Sequence, residues 1–198
     1  MLREIAKSGG VLLAVWALGA LAVSASELTP GDVAPNFHGL PGTDGEKHGL
    51  ADYRDAKAIV LVFTCNHCPV ASGYEERLVA LQKQYRGKGV QFVAINVSTM
   101  PADRLAAMQQ RAKEKDFNFP YLYDASQKIG RDYGAAVTPH IFLLDKNRKI
   151  AYVGAIDDNL NPRKVKTHYL ADALDSLLAG KKPPQETTKA FGCGIHYE

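Results

Sequence analysis

Two cysteines three positions apart, Cys65 and Cys68 within Phe63-Thr64-Cys65-Asn66-His67-Cys68-Pro69-Val70, are the residues in this chain best suited to chemistry. Thiols at that spacing can close a small ring as a disulfide, and the positive end of a following helix favours the thiolate that attacks other disulfides. Cys65 is expected to be the lower-pKa thiol, in the range of about 3.5 to 7.5 found for cysteines at helix starts and in C-x-x-C pairs. His67 stands between the two; an imidazole beside the Cys65 sulfur would stabilise its thiolate and make the disulfide more oxidising, whereas a ring turned to solvent would do neither. The third cysteine, Cys193, lies between Gly192 and Gly194 near the end of the chain. Flanking glycines permit close backbone approach, so Cys193 is either a third redox thiol for Cys65 or Cys68, a link to another molecule, or a free thiol on a loose terminus.

The surrounding elements place the pair at a strand-to-helix junction. Ala58 to Phe63 is an unbroken apolar run, the signature of a strand covered on both faces. Val70, Tyr74, Leu78, Leu81 and Tyr85 recur at helical spacing, predicting a helix over about 69–86 that Gly87 and Gly89 end. Val90 to Val97 is a second apolar strand, and the strand-helix-strand order implies a parallel pair. Thr99 and Pro101 predict the start of another helix with Leu105, Met108 and Ala112 inside. A short aromatic segment, 117–123, and a brief helix, 126–133, follow. Ile141 to Leu144 and Lys149 to Val153 flank a polar turn and read as an antiparallel hairpin. Asn161-Pro162 then predicts a last helix running to about Ala179, with Val165, Leu170 and Leu174 facing inward. Upstream, from Glu27 to about Lys57, short strands joined at Asp44-Gly45 and a helical turn near Leu50 to Tyr53 are expected.

At 198 residues and 46% hydrophobic content the chain suits one domain with appendages. Arg3 and Lys7, the apolar stretch Val11 to Val23 and the small residues Val23-Ser24-Ala25 have the form of a cleavable export signal over residues 1–25. Thirteen residues at about 1.5 Å each fall short of a membrane core of about 30 Å. The expected division is therefore a signal peptide, 1–25, one domain, 26–180, and a tail, 181–198, carrying Cys193. A periplasmic or secreted location follows, with no stable membrane insertion after cleavage, in a compartment that permits disulfides. With 24 basic against 21 acidic side chains there is no nucleic-acid footprint. Three cysteines make no disulfide scaffold, so the C-x-x-C pair reads as chemistry. A haem-attachment site is excluded because Pro69, not histidine, follows Cys68. His38, His48, His168 and His196 are isolated, and Asp157-Asp158-Asn159 reads as a cap and loop.

The order of elements, with C-x-x-C at the first strand-to-helix junction and Thr138-Pro139 before the hairpin, resembles the thioredoxin fold. The opening Gly31-Asp32-Val33-Ala34-Pro35-Asn36-Phe37 resembles its redoxin branch, which includes peroxiredoxins and exported thiol-disulfide oxidoreductases of cytochrome c maturation. The likeness spans about 28–180. FTCNHCPV, VTPHIFLLD, GAIDDN and the terminal FGCG are also similar to exported redoxin-like bacterial proteins.

The resemblance implies an α/β, thioredoxin-like three-layer sandwich, a central mixed sheet with helices on both faces. It further implies Cys65 as nucleophile, Cys68 as resolving thiol, His67 as their modulator, and a cis Pro139 facing the disulfide. Thr138 would offer backbone hydrogen bonds to a bound substrate, with Thr64 and Asn66 beside it. The implied partners are protein or small-molecule thiols and disulfides and a redox partner protein, with no cofactor. The chain departs from thioredoxins in having Thr64 where tryptophan usually precedes the first cysteine, and in having Ile59 where thioredoxin buries an acid. One rival is a copper-chaperone-like redoxin using Cys65, Cys68 and a histidine, His67 or His140, although such proteins place three residues between their cysteines. The other is a peroxiredoxin-like thiol peroxidase, which the Thr64-Cys65 order fits poorly.

Overall fold

The computed structural model describes residues 27–198; the expected signal segment lies outside the described residues. The first elements are β1 (Leu40–Pro41) and β2 (Lys47–His48), antiparallel across the Asp44-Gly45 turn, and a 3-10 turn at Leu50–Tyr53. They lead into β3 (Ala58–Thr64), α1 (Pro69–Arg86) and β4 (Val90–Asn96). There follow α2 (Leu105–Glu114), β5 (Tyr121–Tyr123), α3 (Lys128–Tyr133) and β6 (Val137–Thr138). The hairpin is β7 (His140–Leu144) with β8 (Ile150–Gly154), and α4 (Tyr169–Leu178) and β9 (Cys193–Gly194) complete the order.

The central sheet runs β5-β4-β3-β7-β8. Strands β5, β4 and β3 are parallel, and β7 and β8 are antiparallel to their neighbours, so the sheet is mixed as expected. Every residue of β3 is buried, which is why its sequence shows no alternation. Ala58, Val60 and Val62 face a core built with Tyr74, Leu78 and Tyr85 of α1 and Leu170 and Leu174 of α4. Ile59, Leu61 and Phe63 face the opposite core, with Phe37, Ile129 and Tyr133. Each buried Val, Leu, Ile or Phe among them contributes about 1.5 to 3 kcal/mol, so α1 is clamped on the sheet and its N-terminus is fixed at the end of β3. A bidentate pair, Arg111 to the buried Glu75 at 2.8 and 2.9 Å, ties α2 to α1.

Two helix starts differ from expectation. Pro101–Asp103 forms a separate 3-10 turn and α2 begins only at Leu105; Thr99 bonds the Glu198 carboxylate at 2.6 Å instead of capping. Pro162–Lys164 is likewise an isolated 3-10 turn, with Asn161 accepting the Arg163 N–H at 3.0 Å, and α4 starts at Tyr169. The chain between them is held as a loop. Lys166 N–H donates to the Asp158 carboxylate at 2.9 Å, Asp158 N–H donates to the Thr167 carbonyl at 3.2 Å, and Arg77 takes the carbonyls of Asn159 and Leu160. Val165 is accordingly only half-buried.

The tail after residue 180 folds back over the domain. Thr187 bridges Val153, and the Thr188 hydroxyl accepts the Ala155 N–H at 3.0 Å. Phe191 meets the Tyr74 ring edge-on at 6.0 Å, β9 pairs with β6, and the Tyr197 hydroxyl donates to the Ala135 carbonyl at 2.6 Å. Cys193 is thus not on a loose terminus.

Candidate active site

Strand β3 delivers Thr64 and Cys65 to the edge of the sheet, and α1 opens at Pro69 with Cys68 as its N-cap. Both thiols are free and buried; Cys65 is 4% exposed and Cys68 not at all. They converge on Thr138. The Cys65 sulfur lies 3.3 Å from the Thr138 hydroxyl, and the Cys68 thiol donates to the Thr138 carbonyl at 3.1 Å. The Thr138–Pro139 peptide is cis, and β6 and β7 on its two sides hold it against the pair.

Sequence reasoning gave no role to Asp103, which the fold places under the cysteine turn with its side chain wholly buried. One carboxylate oxygen accepts the Asn66 N–H at 2.6 Å and the His67 N–H at 3.2 Å. The other accepts the Ser98 hydroxyl at 2.7 Å and bonds His67 Nδ1. His67, partly exposed, is therefore held by a buried acid and is not merely turned to solvent. A ring nitrogen of His67, a carboxylate oxygen of Asp103 and the Cys65 sulfur lie within 4.8 Å of one another. An aspartate inside a Pro-Ala-Asp helical turn reads from sequence as an ordinary first-turn acid, so only its position in space reveals it. Asn66 is taken up by the protein itself: its amide donates to the Ala102 carbonyl at 2.8 Å and accepts the Tyr121 hydroxyl at 3.0 Å. That fixes the turn between the cysteines.

The order of thiol acidity is the reverse of the sequence expectation. Burial, followed by the Asp103 charge, pushes the Cys65 thiol up to about 11, although the Thr138 hydroxyl opposes this. Burial also disfavours a Cys68 thiolate, but hydrogen bonds from the Cys193 thiol and the Ala71 N–H outweigh it and bring Cys68 below its ordinary value. The reason is local. The helix begins one residue after Cys68, so Cys68 receives the free N–H groups and positive end of α1, and Cys65 sits a turn away beside a carboxylate.

A cavity of about 270 Å³ opens beside the pair, lined by Thr64, Cys65, His67, Thr138, Met100 and Ile195 among others. Cys68 lies beneath it, so Cys65 is the thiol an entering molecule meets. Strand β9 forms part of this wall and already pairs with Val137 and Thr138, so the Thr138 backbone expected to receive a substrate is engaged by the chain's own tail.

The copper set of the rival reading, Cys65 and Cys68 with a histidine, is not brought together among the described residues. His140 is buried on β7; the Ala136 N–H donates to its Nδ1 at 3.3 Å and its Nε2 contacts the Glu27 carboxylate at 3.1 Å. An Nδ1 that accepts carries no proton, so the ring is the neutral tautomer. Burial agrees, lowering His140 to about 4. Among the described residues, the side chains close enough to share an ion near the cysteines are Cys65, His67 and Asp103, without Cys68 or His140.

Residues 29–169 match the Redoxin family. A solved structure of an uncharacterized conserved protein from Geobacillus kaustophilus is 35% identical, covers 91% of this chain and 98% of that one, and superposes with a TM-score of 0.81. A hypothetical protein from Sinorhizobium meliloti 1021 is 34% identical, with 86% and 95% of the two chains covered and a TM-score of 0.80. The thiol-disulfide oxidoreductase ResA of Geobacillus thermodenitrificans is 28% identical over 141 residues, 70% of this chain and 75% of that protein.

Proposed function

This chain belongs to the redoxin family and is a thiol-disulfide oxidoreductase, and we propose that it acts outside the cytoplasmic membrane through Cys65 and Cys68 by way of a mixed disulfide. The observation that carries this reading is the convergence of both free thiols on Thr138, with Cys65 at the cavity wall and Cys68 behind it. A substrate disulfide enters the cavity. His67, oriented by Asp103, takes the Cys65 proton, and the Cys65 sulfur attacks one substrate sulfur while the other leaves as thiolate. Cys68 then attacks the Cys65 sulfur, closing the Cys65-Cys68 disulfide and releasing the second substrate thiol. A lowered Cys68 suits that step, because donors aimed at its sulfur stabilise the thiolate of a resolving thiol hidden from solvent. The reverse sequence oxidises a dithiol. Two thiols carry both electrons, so the exchange itself calls for no organic cofactor.

Thr64 and Thr138 line the entry, the buried cis Pro139 sets Thr138 against the pair, and Asn66 holds the turn. Substrates are protein or small-molecule thiols and disulfides, and a second redox protein resets the pair. Export rests on the sequence of residues 1–25 and on the use of a disulfide pair, which persists in oxidising compartments. The domain proper is 26–180, with 181–198 a working part of the site.

The test is equilibration in glutathione buffers with thiols counted by alkylation and mass. A Cys65-Cys68 disulfide that forms reversibly at a potential between about −120 and −270 mV is expected. If neither oxidising nor reducing buffer changes the state of the pair, the reading fails.

A further inference from the structure

Cys193 enters the redox centre through strand pairing. In the antiparallel pair β6-β9, Thr138 stands directly opposite Cys193. Residues facing each other in such a pair project to the same side of the ribbon. Thr138 projects its hydroxyl onto the Cys65 sulfur, and Cys193 accordingly packs onto the cluster of Cys65, Cys68 and Ala71. The neighbouring Cys68 thiol holds the Cys193 thiol above its ordinary value, a restraint that lapses once Cys68 is tied into the Cys65-Cys68 disulfide. The approach depends on the residue before it. A Cβ on Gly192 would fall 2.0 Å from the Thr138 carbonyl oxygen, so a larger residue there would push Cys193 off the site. Phe191 anchors the other side of the tail against Tyr74. Cys68 is sealed from solvent while Cys193 is half-exposed, so Cys193 is the thiol through which the buried partner communicates with the outside.

We propose that Cys193 is a relay thiol that takes over the disulfide from the C-x-x-C pair by attacking Cys68. This deepens the reading above and rests on it. In the step, the Cys193 thiolate attacks the Cys68 sulfur of the Cys65-Cys68 disulfide. The Cys68-Cys193 bond forms as the Cys65-Cys68 bond breaks, and Cys65 leaves as thiolate, taking up the proton that Cys193 gave up. One disulfide is exchanged for another, so no further oxidant or reductant enters. The protein stays oxidised, yet its entry thiol at the cavity is free again, and the oxidising equivalent rests on the half-exposed tail where a redox partner can collect it.

The test uses the full chain and its Cys193→Ser and Cys65→Ser variants, each checked for native circular dichroism. Each is reduced, given one equivalent of diamide, acid-quenched, alkylated and mapped by peptide mass. In the oxidised wild type the one remaining thiol is expected to divide between Cys65 and Cys193, with Cys68-Cys193 peptides present. Cys193→Ser should lower Cys65 labelling roughly tenfold, since its disulfide then has nowhere to move. Cys65→Ser should close Cys68-Cys193 directly. Labelling of Cys193 alone in the oxidised wild type, or a folded Cys65→Ser protein that keeps both thiols, overturns the relay and leaves the oxidoreductase reading standing. If Cys193→Ser forms no Cys65-Cys68 disulfide, both readings fall together.

Discussion

Replacing Asp103 with asparagine should move two properties of Cys65 in opposite directions. The Asp103 carboxylate lies within 4.8 Å of the Cys65 sulfur and is the second influence, after burial, that raises this thiol from 9.0 to about 11. The full rise is worth about 2.7 kcal/mol at 1.36 kcal/mol per unit. Burial holds the larger share, so removing the charge should recover at most about half of it, roughly tenfold more thiolate at any pH below the thiol's own value. Alkylation by iodoacetamide, which needs only the thiolate, should therefore speed up by up to roughly tenfold in Asp103→Asn. Turnover should fall, because His67 loses the carboxylate that orients its ring; for a general base the loss should be about tenfold to a hundredfold. Asparagine keeps an acceptor for the Asn66 and His67 N–H groups, so the turn should survive. The assay compares pH profiles of alkylation, read by mass, with those of exchange with hydroxyethyl disulfide. A variant in which both rates rise, or both fall, would refute the assignment of His67 as a base held by Asp103.

Acid should destabilise the protein through His140. Its pKa is lowered from 6.5 to about 4 by burial, so between those values the unfolded chain binds the proton that the folded one refuses. Stability is complete above about pH 6.5 and falls as pH drops toward 4, by up to about 3 kcal/mol; urea midpoints across that range should show a slope that His140→Phe flattens. Arg111→Ala should cost about 3 to 5 kcal/mol by leaving Glu75 charged and unpaired in a buried position, and adding Glu75→Gln should restore part of it, again by urea titration. Gly192→Ala should lift β9 from β6, because its Cβ meets the Thr138 carbonyl, and roughly tenfold faster alkylation of Cys68 with an unchanged far-ultraviolet spectrum would register it.

The fold was legible because its signals are local. An apolar run of strand length, a 3.6-residue stripe ended by glycine and a polar hairpin turn each depend on neighbours in sequence, and β3, α1, β4 and the β7-β8 hairpin fall within a residue or two of where those signals put them. The starts of α2 and α4 were not legible. Pro101 and Pro162 each carry a start signal, but contacts with distant chain, Glu198 onto Thr99 and Arg77 onto 159–160, decide that only a short turn forms there.

The same division holds at the site. Spacing alone singled out Cys65 and Cys68, since a two-residue gap before a helix is a property of the sequence. Which thiol is more acidic is a property of space. It follows from where the helix N-terminus falls, from Asp103 arriving 38 positions after Cys65 in the chain, and from Cys193 returning beside Cys68. Charge and hydrogen bonding act through distances of a few ångströms, and sequence separation carries no information about those distances until the tail and the 98–103 loop are folded against the end of the sheet.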